Sequence, residues 1–133
     1  MLGGGSRVLI QGSVATLSRN TAQVTMVQFF DGLAGVSATL ETVPTTVTAS
    51  SLAGIDLYIS ARSSGFSASE AAALSAFETN GGALLILGEN SGVGGSFNSI
   101  ANDLLTALGS GMRLGSASIG SGFLTTPEVA SAP

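Results

Sequence analysis

The chain has 133 residues, enough for one domain with a single core, and carries four basic against eight acidic side chains for a net charge of −4. Lysine is absent and only Arg7, Arg19, Arg62 and Arg113 are cationic, so the clustered positive charge that a phosphate backbone demands is missing and no nucleic-acid partner is expected. Histidine and cysteine are absent too, which excludes an imidazole base, a thiol nucleophile and a Cys/His zinc site.

Residues 1–6 read as a flexible leader, without the basic and apolar parts of a secretion signal. No run approaches the ~18 apolar residues of a membrane span. A single α/β domain is expected over residues 7–115, and residues 116–133 form a Ser/Gly/Thr-rich tail or a truncated domain end. Arg7-Val8-Leu9-Ile10-Gln11 is a short apolar run and predicts a central parallel strand. A polar loop follows over 12–20, with Asn20 or Thr21 placed to cap a helix. Residues 22–33 suit that helix in length. Their rival is a strand, since Val24, Thr25 and Val27 favour extended structure.

Residues 36–43 alternate, with Val36, Ala38 and Leu40 against Ser37, Thr39 and Glu41, as in a strand with one wetter face at a sheet edge. No lysine or proline interrupts the run up to Val43, so self-association through this edge is expected. A Thr/Ser-rich loop leads to a third strand over 55–60, and Asp56 marks its entrance. Ser67 or Ser69 caps a second helix, with Ala71, Leu74 and Phe77 on one stripe. Asn80-Gly81-Gly82 stops it, and Ala83 to Leu87 is apolar throughout, which predicts a strand buried on both faces. Gly92 to Ser96 reads as a glycine-rich loop. Residues 98–108 read as a helix with Ile100, Leu104, Leu105 and Leu108 on one face. Residues 112–114 are a candidate fifth strand, and five of the six phenylalanines, 29, 30, 66, 77 and 97, are expected in the core.

Strands alternating with helices predict a three-layer open parallel sheet, flavodoxin-like, with strand order about 2-1-3-4 and room for a fifth strand. Ligands in such sheets bind beyond the carboxyl ends of the strands. That rim takes in residues 12–20, 61–65 and 88–96. The candidate ligand-binding residues there are Arg19, Arg62, Glu89, Asn90 and Ser91. Either arginine could pair with Glu89 or grip a carboxylate, or each could simply be solvated. The order Gly88-Glu89-Asn90-Ser91-Gly92 is not the spacing of a nucleophile elbow, and no base is present to activate the serine. A carboxylate pair or hard-cation site would have to draw on Glu89 with Asp31 or Asp56. The plainer reading has Glu89 and Asn90 tying their own loop through backbone hydrogen bonds.

The approach LAGID at 52–56, the helix start SASE at 67–70 and above all FETNGGALLILGEN at 77–90, followed by NSIANDLL at 98–105, resemble the class I glutamine amidotransferase-like fold. The likeness extends to non-enzymatic extracellular domains of bacterial secreted and surface-sorted proteins. In the enzymes, the loop after this strand carries a nucleophilic cysteine. Here Glu89, Asn90 and Ser91 stand in its place, so the resemblance implies an ordered but inert turn. The expected function is a non-catalytic extracellular or cell-surface domain acting in binding, adhesion or self-assembly, with no cofactor. The alternative is a degenerate hydrolase or a metal- or small-ligand-binding domain using the rim around Glu89.

Overall fold

The computed structural model describes residues 5–12, 17–88 and 91–115, and describes side chains for these residues apart from 17–23 and 91–95. Four strands and three helices follow one another as β1 (Ser6–Gln11), α1 (Leu17–Asp31), β2 (Val36–Glu41), β3 (Leu57–Ser60), α2 (Ala68–Thr79), β4 (Ala83–Ile86) and α3 (Ser91–Ala107). All strand pairs are parallel and the order is β2-β1-β3-β4, so the expected three-layer flavodoxin-like architecture is present.

Alternation along β1 divides the core between the two faces of the sheet. Val8 and Ile10 join Ile59 on one face, covered by Met26, Val27 and Phe30 of α1. Leu9 joins Tyr58 on the other, under Ala71 and Leu74 of α2 and Leu104 of α3. The connection between β2 and β3 crosses this second face without a helix and buries Val47 and Leu52 in its place. Helix α2 starts as its sequence requires. The Ser67 hydroxyl accepts from the Glu70 amide and the Glu70 carboxylate accepts from the Ser67 amide, a reciprocal capping box.

Several elements depart from the sequence reading. Helix α1 begins at Leu17, so Arg19 lies within a helix and not in a rim loop. Phe29 is largely exposed, because α1 turns only one stripe toward the sheet; its ring meets that of Phe30 edge-on at 5.3 Å between centroids. Strand β4 is not buried on both faces. It is last in the strand order, and Leu85 is 42% exposed on the face that α1 leaves uncovered. Helix α3 begins at Ser91 and takes in the glycines expected to form a loop, a case of context overriding weak helix propensity.

Residues 111–115 form no strand. The Asn102 side chain holds them against α3 instead, accepting from the Leu114 amide at 2.8 Å and donating to the Leu114 carbonyl at 3.0 Å. Asn98 donates to the Gly115 carbonyl at 3.1 Å. This places Leu114 so close to Gly88 that a Cβ there would lie 2.5 Å from Leu114 Cδ1. A residue with a side chain at 88 therefore requires the Leu114 side chain, and that of Asn98, whose Oδ1 would lie 2.7 Å away, to shift.

The two sheet edges differ. On β2 the outward amides of Val36 and Ala38 are already used, the first by the Leu33 carbonyl at 3.1 Å and the second by Asp31 Oδ1 at 2.7 Å. On β4 the amides of Ala83 and Leu87 turn inward to the carbonyls of Asp56 and Ser60, which leaves those of Leu84 and Ile86 turned outward. Among the described residues no strand pairs with that outer side.

Replacing Asn102 by alanine removes both hydrogen bonds to Leu114. The expected loss is about 1–2 kcal/mol in urea denaturation, with faster hydrogen exchange at the Leu114 amide and unchanged exchange in β1.

Candidate functional site

Register brings three strand ends into one rung, since Gln11 lies opposite both Glu41 and Ser60. Gln11 and Tyr58 are fully buried. The Tyr58 hydroxyl donates to Gln11 Oε1 at 2.8 Å, and Gln11 Nε2 donates to Glu41 Oε2 at 2.6 Å and to the Thr45 carbonyl at 3.1 Å. The Thr45 hydroxyl donates to the same Glu41 oxygen at 2.8 Å. A buried amide with both ends engaged fixes where the chain leaves β1 and β2. Burial pushes the Tyr58 phenol up to about 12, against the opposing pull of the nearby Arg62 cation.

Arg62 leaves the carboxyl end of β3 and turns inward. Its Nη1 meets Glu70 Oε1 at 2.7 Å, with both side chains 7% exposed, and its guanidinium carbon lies 4.2 Å from the centre of the Phe66 ring. Nη2 donates to the Gly65 carbonyl at 3.2 Å. Glu70 accepts further from the Val47 amide at 3.2 Å and from the Ser67 amide and hydroxyl at 2.8 and 2.9 Å. Burial alone would raise this carboxyl. The hydrogen bonds from Arg62, Ser67 and Val47 together outweigh it and hold the group at about 2.

Of the residues singled out from the sequence, Arg62 is therefore committed to a buried ion pair with Glu70 and an aromatic ring. It is not solvated. The side chains of Arg19 and Ser91, and the whole of Glu89 and Asn90, lie outside the described residues. Asp31 and Asp56 sit at the opposite, amino-terminal end of the sheet, where Asp56 Oδ2 accepts from the Arg7 amide at 2.7 Å at the strand entrance. Among the described residues no three acidic side chains converge as a metal would require.

Sequence reasoning missed Gln11, Glu41, Thr45 and Glu70. Glu70 carried a visible signal, the Ser-x-x-Glu spacing of a capping box, but its bond to Arg62 depends on how the loop at 61–67 folds back. The polar cluster of Gln11, Glu41 and Tyr58 appears only once the strand register is known.

A second feature is open. Between β4 and the returning segment 109–114 runs a groove of about 740 Å³, floored by Leu105 and Leu108 of α3 and walled by Leu84, Leu85 and Ile86. Met112, 71% exposed, stands on its far wall. The lining is mostly apolar, and the outer backbone edge of β4, which pairs with no strand among the described residues, runs along it. Such a groove provides backbone hydrogen bonding beside side-chain pockets, the two requirements for adding a strand.

Scanned against protein-family models the chain matches none, and comparison with curated proteins and with solved structures finds no match either.

The buried groups predict stability limits at both ends of the pH scale. Glu70 is held below its ordinary value of 4.5, so its contribution is complete above about pH 5 and is lost as pH falls toward 2. Tyr58 is held above its ordinary 10, so its contribution is complete below pH 10 and is lost as pH rises toward 12. Denaturation midpoints followed across pH should fall in both windows. Glu70→Gln should lower stability at pH 7 by about 3 kcal/mol and flatten the acid limb, because Arg62 is left buried without its counter-charge.

Proposed function

We propose that this chain is a non-catalytic binding domain of an extracellular or cell-surface protein, and that it works by accepting an extended polypeptide segment along β4. The observation that carries the reading is the contrast between the edges. The outward amides at the start of β2 are satisfied from within, whereas β4 offers outward amides beside an apolar groove. Exposed edges with apolar flanks are the surfaces on which strands add, and native sheets guard those they do not use. The same contrast makes β2, which lies in the edge expected over residues 36–43, the poorer surface for self-association.

The polar groups at the sheet's carboxyl end support the non-catalytic part. Gln11, Glu41, Tyr58, Arg62 and Glu70 are bound to one another or to nearby backbone, so they serve as a brace. A surface of Ser, Thr, Gly and Asn with few charges suits an extracellular setting. The stretch FETNGGALLILGEN, with its resemblance to non-enzymatic relatives of the amidotransferase-like fold, supports the same reading, in which Glu89, Asn90 and Ser91 stand in sequence where the enzymes carry their cysteine turn.

The test is a titration of the isotope-labelled chain with a synthetic nine-residue peptide of alternating valine and threonine. At millimolar peptide, the amide resonances of Leu84 and Ile86 should shift and those of Val36 and Ala38 should not. Leu85→Lys places a charge on the open edge and should weaken binding at least tenfold while leaving the denaturation midpoint nearly unchanged, since Leu85 is already half in solvent. Shifts confined to the residues around Arg62 and Glu70 would refute the strand-acceptor reading.

A further inference from the structure

The groove along β4 is closed at one end and carries opposite charges. We infer that it takes the free carboxyl-terminal end of a partner polypeptide, laid parallel to β4, with the terminal carboxylate on Arg113. The inference rests on the strand-acceptor reading of β4 given above.

Three observations carry it. The first is the closed end. Leu114 packs on Gly88, just past the end of β4, so closely that a Cβ at 88 would lie 2.5 Å from Leu114 Cδ1. Asn102 and Asn98 hold the chain there, through both backbone groups of Leu114 and the carbonyl of Gly115. A strand lying in the groove along β4 meets this contact and stops. What lies against it is therefore the end of a chain, and the rest of the partner leaves past the start of β4.

The second is charge. Arg113 precedes Leu114 in the wall that makes the closed end, and it lines the groove. Its Nη1 donates to the carbonyls of Ser110 at 2.6 Å and Met112 at 2.5 Å, which fixes the guanidinium on its own segment. Among the described residues its Nε and Nη2 have no partner and no carboxylate pairs with it. A guanidinium held in place with one edge free suits a carboxylate, which accepts from Nε and Nη2 together. Glu78 lines the groove from the last turn of α2, beside the start of β4, and has no ion-pair partner among the described residues either. A carboxylate is repelled at that end and attracted at the other. This sets the direction: the partner's carboxyl terminus lies at the carboxyl end of β4, so the added strand is parallel, as every pair in the sheet already is.

The third is the lining. Leu84 and Ile86 turn their amides outward, and a parallel strand bonds to such groups at even spacing. Alternate side chains of that strand face the floor made by Leu105 and Leu108, so they are apolar. The partner is thus an apolar tail with a free carboxylate at its end and a cation upstream, opposite Glu78.

The experiment titrates the isotope-labelled chain with the hexapeptide Lys-Val-Thr-Val-Thr-Val in three forms: the free acid, its carboxyl-terminal amide, and the peptide lengthened by Gly-Ser-Gly-Ser at the carboxyl end. The free acid should shift the amides of Leu84 and Ile86 and bind about tenfold more tightly than either other form. Arg113→Gln should erase the difference between acid and amide, and Arg113→Lys should restore only part of it, because an ammonium cannot offer two parallel donors. A nitroxide on the amino end of the free acid should broaden the amide of Ala83 and spare that of Gly88.

Equal binding of acid and amide, with Leu84 and Ile86 shifting for both, would overturn the inference and leave the strand-acceptor reading standing. Broadening at Gly88 in place of Ala83 would overturn it in favour of an antiparallel strand. Slow hydrogen exchange at Leu84 and Ile86 that grows with protein concentration and excludes all three peptides would overturn it in favour of a second copy. No shift at Leu84 or Ile86 with any peptide, and fast exchange at both, would overturn the inference and the strand-acceptor reading together.

Discussion

The fold depends on one carboxylate. Glu70 joins three parts of the chain that no regular element connects: the start of α2 through Ser67, the helix-free crossing from β2 to β3 through the Val47 amide, and the loop after β3 through Arg62. A crossing of this length without its own helix is uncommon in a compact domain and needs outside anchors. Glu70 supplies one, and the Gln11–Glu41–Thr45 cluster supplies another where the crossing leaves β2.

Such anchoring has an energetic cost. Desolvating two charges consumes several kcal/mol for each ion, and close pairing only offsets it when the remaining hydrogen-bonding positions are filled. Here they are filled, by two backbone amides and a hydroxyl on Glu70 and by a carbonyl and an aromatic face on Arg62. The result specifies geometry more than it adds stability. An apolar substitute of similar volume could pack in this space, but it would not hold the Val47 amide, and the crossing would lose its register over the sheet.

Much of the architecture was legible because its signals are local. Alternation in 36–41, the apolar run in β1 and the Asn-Gly-Gly stop after α2 each follow from neighbouring residues, and the handedness of crossovers turns them into a strand order. Burial was less legible. Ala83 to Ile86 has the composition of a central strand, yet its exposure depends on what lies beside it, which four residues cannot encode. The start of α3 was hidden because glycines suggest a loop, and in the folded chain they continue a helix. Arg62 was visible as a rim residue, but its inward turn was not. A cation facing solvent and one facing Glu70 have the same sequence until the loop between them is folded.

The missing side chain at Gly88 leaves room for two others. A Cβ there would lie 2.5 Å from Leu114 Cδ1 and 2.7 Å from Asn98 Oδ1, so both tips rest in space that any other residue would claim. Asn98 also ties the Gly115 carbonyl, and Leu114 lines the groove beside β4. One vacant Cβ position is thus shared by a residue that lines the groove and a residue that anchors the chain next to it, and a substitution at 88 is felt first in the rotamers of those two side chains.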